Sequence, residues 1–93
     1  KTPEAKLYDY KRTAKIKGLL FELDSKTFES LVSSDCKHCG GEGFGVDRLD
    51  SSRGYFVDNC VPCCTKCNMM KLAHPTKEFY EHALKIVKHL GLM

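Results

Sequence analysis

Cys36-Lys37-His38-Cys39-Gly40 opens, and Cys64-Thr65-Lys66-Cys67-Asn68 closes, the stretch that decides how this chain folds. Each is a C-x-x-C knuckle, and the two lie about two dozen residues apart. That is the spacing of a four-thiolate zinc site, in which each knuckle supplies two sulfurs to one tetrahedron. Gly40 permits the tight turn that aims backbone amides at the sulfurs. Between the knuckles run Gly45-Val46-Asp47-Arg48-Leu49-Asp50-Ser51, Gly54-Tyr55 and Asn59. A zinc clip alone has no use for an aspartate, an arginine and the two asparagines Asn59 and Asn68, so these residues carry the functional question.

Cys36, Cys39, Cys64 and Cys67 are the expected zinc ligands. Cys60 and Cys63 also form a C-x-x-C, which leaves an alternative ligand set open on spacing alone; the plainer expectation is a pair of small buried thiols behind the site. Three disulfides in a secreted miniprotein are the competing use of six cysteines. With no stretch that resembles a signal peptide or a membrane span, paired knuckles in a lysine-rich chain point instead to metal in a reducing, intracellular compartment. At 93 residues and 10.5 kDa the chain is read as one small unit that needs a staple. Zinc can provide it, since binding in zinc-finger peptides contributes about 10–16 kcal/mol. The first residue is Lys1 rather than Met, as expected of a trimmed product or a piece of something longer.

Thr2-Pro3-Glu4 is a helix start, predicting a helix from Pro3 to about Lys17 that stops at Gly18, with Leu7, Tyr10, Ala14 and Tyr8 toward the body. Asp24 or Ser25 caps a second helix through Phe28, Leu31 and Val32 that ends before Asp35. Phe44 to Asp50 alternates as a strand, Asp50 to Gly54 supplies turn residues, and Tyr55-Phe56-Val57 is the expected returning strand. Helical character resumes from Thr65 to about Leu72. A last helix over Thr76 to Leu90 carries Phe79, Ala83, Ile86, Val87 and Leu90 on one stripe, expected to be core, with His82 and His89 off it on the surface.

Fifteen Lys and Arg against twelve Asp and Glu give a net charge of +3, which permits nucleic-acid binding without demanding it. Lys11, Arg12, Lys15 and Lys17 crowd the first helix, and Arg48, Arg53, Lys66 and Lys71 surround the knuckles. They form either a solvated face or a set of phosphate contacts. Asp47 and Asn68 are hard oxygen donors suited to Mg²⁺ or Mn²⁺, whereas thiolates suit zinc, so ligand softness sorts two metals onto two sites. Taken singly, Asp47 and Asp50 read as turn formers, Asn59 as an Asx turn and Asn68 as helix decoration; their joint occurrence around two knuckles favours chemistry.

At these residues the chain resembles the HNH endonucleases with a ββα-metal core, in the variety that carries Asp-Arg in place of Asp-His, found among phage-encoded proteins and in a rare-cutting restriction enzyme. The resemblance covers Cys36 to Lys71. It implies a small α+β fold, a zinc-stapled, treble-clef-like core (36–72) with a two-stranded hairpin, flanked by basic N-terminal helices (1–35) and a C-terminal helix (75–91). It also implies a metal-dependent DNA endonuclease leaving 5′-phosphate and 3′-hydroxyl ends. In that pattern Cys36, Cys39, Cys64 and Cys67 bind structural zinc, Asp47 and Asn68 bind the catalytic ion, and Asn59 braces the hairpin. Arg48 stands where most members place the general-base histidine. An arginine stays protonated, so its expected work is to clamp the scissile phosphate. His38, Tyr8, Tyr10, Tyr55 and His74 are the candidate bases, with activation of water at the metal as the option without one. DNA is the expected partner, with no membrane, and a homodimer is expected if both strands are cut. A bacterial or virus-infected cell is the expected setting. The rival expectations are a zinc-containing DNA-binding module that has lost catalysis and a protein-interaction zinc domain.

Overall fold

The computed structural model describes residues 2–93, an α+β arrangement of four helices and one two-stranded antiparallel sheet. Helix α1 spans Pro3–Ile16; the Thr2 hydroxyl accepts from the Ala5 amide at 3.1 Å and Pro3 occupies the first turn. The helix ends where Gly18 turns to φ 72°, a left-handed conformation that glycine adopts without strain. Helix α2, Ser25–Val32, is capped by the Asp24 carboxylate, which accepts from the Thr27 amide at 2.7 Å. Ala14 of α1, Phe28 and Val32 of α2, Leu23, Val46, Tyr55 and Cys60 form the core. Tyr10, Phe21, Phe28 and Tyr55 stack through it edge-on or tilted, with centroids 5.2–6.3 Å apart. Tyr8, expected on the inner face, is instead 68% exposed.

Strand β1, Gly45–Arg48, pairs antiparallel with β2, Cys60–Cys63, in a register that sets Gly45 opposite Cys63 and Asp47 opposite Val61. The hairpin is therefore real, but its second strand is not Tyr55-Phe56-Val57. That segment has other partners: the Tyr55 amide donates to the Leu20 carbonyl and the Glu22 amide to the Tyr55 carbonyl, both at 2.8 Å, in a parallel bridge to the strip after α1. Gly54 is what allows the strip so close, since a Cβ there would collide with the Leu20 carbonyl. Pro62 sits within β2 because a two-stranded sheet has only edges, where a residue without an N–H is tolerated, and its carbonyl accepts from the Lys37 amide of the first knuckle.

Helix α3, Thr65–Lys71, starts at Cys64, and helix α4, Thr76–His89, follows a short turn. The α4 stripe corrects a second expectation. No α4 residue is buried; Phe79, Ala83 and Val87 are half-buried, and Ile86 and Leu90 are 48% and 60% exposed. Periodicity reports an amphipathic helix but not whether its apolar face has a cover. His82 and His89 are exposed as expected. No helix among the described residues is long and apolar enough to cross a membrane.

Candidate metal and phosphate site

The two knuckles converge. The sulfurs of Cys36, Cys39, Cys64 and Cys67 all lie within 4.8 Å of one another, and Cys39 Sγ is 3.8 Å from Cys64 Sγ. A tetrahedron with metal–sulfur bonds of about 2.3 Å has an edge of about 3.8 Å, so the spacing fits zinc. Backbone amides already point at the sulfurs: Gly41 N–H donates to Cys39 Sγ at 3.4 Å and Cys67 N–H to Cys64 Sγ at 3.3 Å. Burial works to raise the Cys36 thiol, but hydrogen bonds from the Cys39, Cys64 and His38 amides outweigh it and bring it down from 9.0 to about 6. Cys67 moves the other way, since burial and the neighbouring sulfurs hold its proton. These soft donors suit a zinc ion.

Cys60 and Cys63 stand outside this set. Cys60 belongs to the main core and Cys63 is 1% exposed beside Cys36 and Cys67. Burial pushes their thiols up to about 11 and about 12, so both remain protonated small hydrophobes at neutral pH.

Asp47, on β1, is 4% exposed and held at both oxygens. Lys71 Nζ lies 3.3 Å from Oδ1 and His38 Nε2 lies 2.8 Å from Oδ2. Lys71 also donates to the Arg48 carbonyl at 3.2 Å and is fully buried, which corrects its placement among phosphate-contacting lysines. The other nitrogen of the His38 ring, Nδ1, is 2.7 Å from the Tyr80 hydroxyl of α4. Sequence marks Lys71 only as one of the basic residues around the knuckles and does not mark Tyr80 at all; the β1 register, which turns Asp47 inward, gives Lys71 its partner, and Tyr80 finds its own in His38 of the first knuckle.

Arg48 is anchored through one nitrogen. Its Nη1 donates to the Ser51 carbonyl at 2.5 Å and the Arg53 carbonyl at 2.8 Å, while its guanidinium lies 5.3 Å from the centre of the Tyr55 ring. The loop that offers those carbonyls is tied by Asn59, which is 1% exposed. Asn59 Oδ1 accepts from the Asp50 amide at 2.9 Å, and Nδ2 donates to the Asp50 and Gly54 carbonyls at 3.0 and 2.9 Å.

Asp47, Arg48 and Asn68 line one cleft of about 600 Å³ together with Lys17, Tyr10 and Tyr55. Asn68 is exposed on α3, immediately after the cluster thiol Cys67. Of the candidate bases, His38, Tyr8 and His74 are absent from the cleft wall. The Tyr10 hydroxyl reaches it and accepts from the Val46 amide at 3.0 Å. Burial raises both the Tyr10 and Tyr55 phenols above 10.0, so neither is a ready proton acceptor at neutral pH.

No family model matches the chain. It is 44% identical over 66 residues to an uncharacterised protein of Acanthamoeba polyphaga mimivirus; the match takes in 67% of this chain but only 12% of that much longer protein. Among solved structures it is similar to the rare-cutting HNH restriction endonuclease PacI, with a TM-score of 0.74 and 22% identity, over 95% of this chain and 78% of that one. At that identity the likeness establishes the fold: four helices around a two-stranded hairpin, with a cysteine cluster at its base, matching that of an HNH nuclease.

Proposed function

We propose that the chain is an HNH-type DNA endonuclease of the Asp-Arg variety, hydrolysing phosphodiesters to 5′-phosphate and 3′-hydroxyl ends inside a bacterial or virus-infected cell. The observation that carries this reading is the shared cleft: a buried carboxylate, an arginine anchored by two carbonyls and an amide, set at the foot of a four-thiol cluster. The HNH restriction fold of the structural neighbour supports it. Cys36, Cys39, Cys64 and Cys67 take zinc in this reading, and Asp47 and Asn68 take Mg²⁺ or Mn²⁺. The second set fits hard cations, because each Asp47 oxygen keeps a lone pair beyond its present partner and the Asn68 amide adds a neutral oxygen. A divalent ion there would polarise the scissile phosphate and offset charge on the leaving oxygen.

The chain's own residues do the rest. Two carbonyls hold Arg48 through Nη1, and the guanidinium so held would grip a non-bridging phosphate oxygen in a fixed orientation. Asn59 holds the loop that provides those carbonyls. Lys17 on the cleft wall, with exposed Lys11, Arg12, Lys15 and Lys66, tracks flanking phosphates. With the cleft phenols protonated, the proton of the attacking water passes to solvent or to the phosphate. One cleft per chain nicks one strand, and cutting both takes a symmetric pair.

A second reading, a DNA-holding zinc module without catalysis, draws on one feature: each Asp47 oxygen already has a side-chain partner, Lys71 on one and His38 on the other. Plasmid incubated with Mg²⁺ or Mn²⁺ at low salt separates the two. Wild type should nick, and Asp47→Ala and Asn68→Ala should not; salt-sensitive binding with equal, background cleavage by all three proteins would leave the binding module. Arg48→Lys should abolish most cleavage while barely weakening binding.

A further inference from the structure

Asp47 is gripped by side chains that do not themselves line the cleft, and one of them connects to an element otherwise loosely attached. The apolar stripe of α4 covers little, yet near its start the helix meets His38 closely: Phe79 and Tyr80 pack against the ring edge-on at 5.7 and 5.5 Å, and the Tyr80 hydroxyl reaches Nδ1. Thr76 Oγ1 adds a contact to the Leu49 carbonyl at 3.5 Å. The imidazole is 1% exposed, with both nitrogens engaged. An ionised Asp47 only accepts, so Nε2 donates to it, and Nδ1 is left to accept from the Tyr80 hydroxyl. Ring orientation is thus fixed from two sides, and neither nitrogen is left open to take a proton from water.

We propose that His38 and Tyr80 are positioning residues: a relay from α4 through the imidazole holds the Asp47 carboxylate in the orientation that accepts the divalent ion, and His38 is not the general base. This rests on the reading of Asp47 as a ligand. Partners of ligating carboxylates and imidazoles set ligand orientation, and removing them typically lowers metal affinity about 10–100-fold. The same relay gives α4 a role that burial does not, that of a buttress to the metal carboxylate.

Mn²⁺ binding to the zinc-loaded full chain, read by electron paramagnetic resonance, tests this beside plasmid nicking over a Mn²⁺ titration. His38→Ala should raise the Mn²⁺ Kd about 10–100-fold. The metal concentration for half-maximal nicking should shift with it, and the rate should recover at saturating Mn²⁺. His38→Gln, whose Nε2 can still donate to Asp47, should restore most of the affinity, and Tyr80→Phe should shift it in the same direction by less. Zinc content should not change in any variant. Unchanged Mn²⁺ affinity in His38→Ala overturns the inference, as does a rate loss in both His38→Ala and His38→Gln that Mn²⁺ cannot restore, because that marks a proton acceptor. If His38→Ala does not fold, the Gln and Phe variants decide by the same criteria. Mn²⁺ binding that survives Asp47→Ala defeats the ligand reading itself, whereas binding that needs Asp47 but ignores His38 and Tyr80 defeats the positioning role alone.

Discussion

Replacing Asn59 with alanine removes three hydrogen bonds from one buried side chain: the one accepted from the Asp50 amide and those donated to the Asp50 and Gly54 carbonyls. Each is worth about 1 kcal/mol net. Asp50 lies at the surface, so water can take over its two groups, but Gly54 is buried and its carbonyl is left with a desolvation cost of about 1–3 kcal/mol. The expected loss is therefore about 2–4 kcal/mol, a large part of the 5–15 kcal/mol typical of a folded domain. Asn59→Asp sharpens the test. It keeps an acceptor for the Asp50 amide but turns a carboxylate toward two carbonyl oxygens, so it should cost at least as much as alanine. Urea denaturation with zinc and reductant present, read as a change in midpoint at constant slope, gives both numbers. A loss below about 1 kcal/mol for Asn59→Ala, or an Asn59→Asp variant as stable as wild type, would refute the bracing role. The same loosening should reach Arg48, because its anchors at Ser51 and Arg53 lie in the loop that Asn59 ties down.

Chelation of zinc should unfold the chain, with one zinc per chain by mass spectrometry under native conditions; a metal-free mass consistent with three disulfides would sink the thiolate cluster. Lys71→Met should cost about 3–5 kcal/mol by leaving Asp47 buried without its cation, and adding Asp47→Asn should recover part of that loss in a double-mutant cycle. The Thr27 amide and hydroxyl hold the Asp24 carboxyl below its ordinary 3.8, so its cap contribution is complete above that value and is lost as pH falls through the lower folded one. Asp24→Asn, which keeps an acceptor without the charge, should flatten that acid limb of a stability–pH curve. Ile86→Glu and Leu90→Glu should each change stability by no more than about 0.5 kcal/mol, since both positions are open to solvent, and a loss above about 2 kcal/mol would return them to a core.

Local chemistry made much of the fold legible. Thr2, Asp24 and Gly18 bound their helices where capping rules put them, and two knuckles at zinc spacing proved to meet. What escaped was set by partners distant in sequence. Tyr55-Phe56-Val57 has stronger strand character than Cys60-Val61-Pro62-Cys63, yet the latter pairs with β1, because the first knuckle's Lys37 takes the Pro62 carbonyl and the strip after α1 takes Tyr55. Lys71 looked like a phosphate contact until the register turned Asp47 toward it. Ile86 and Leu90 follow a faultless helical period yet stay 48% and 60% exposed. Propensity describes a segment, whereas burial describes its neighbours.

The thiol cluster and the cleft are mechanically one object. Gly45, two residues before Asp47, pairs with Cys63, and the next residue, Cys64, is both a cluster thiol and the cap of α3, whose side chain accepts from the Cys67 amide. Asn68 follows Cys67 directly. Asp47 therefore lies two residues from the partner of Cys63, which precedes the cluster thiol Cys64, and Asn68 lies next to the cluster thiol Cys67, with no flexible linker between. An ion drawing four sulfurs to the corners of one tetrahedron would fix the angle between β2 and α3, and with it the separation of the Asp47 carboxylate from the Asn68 amide. Loss of either Cys64 or Cys67 should consequently abolish divalent-ion binding at Asp47 together with zinc binding at the cluster. In the proposed reading, a hairpin only four residues long per strand would keep its hard donors in place because zinc at the thiol cluster would supply the rigidity that so short a sheet lacks.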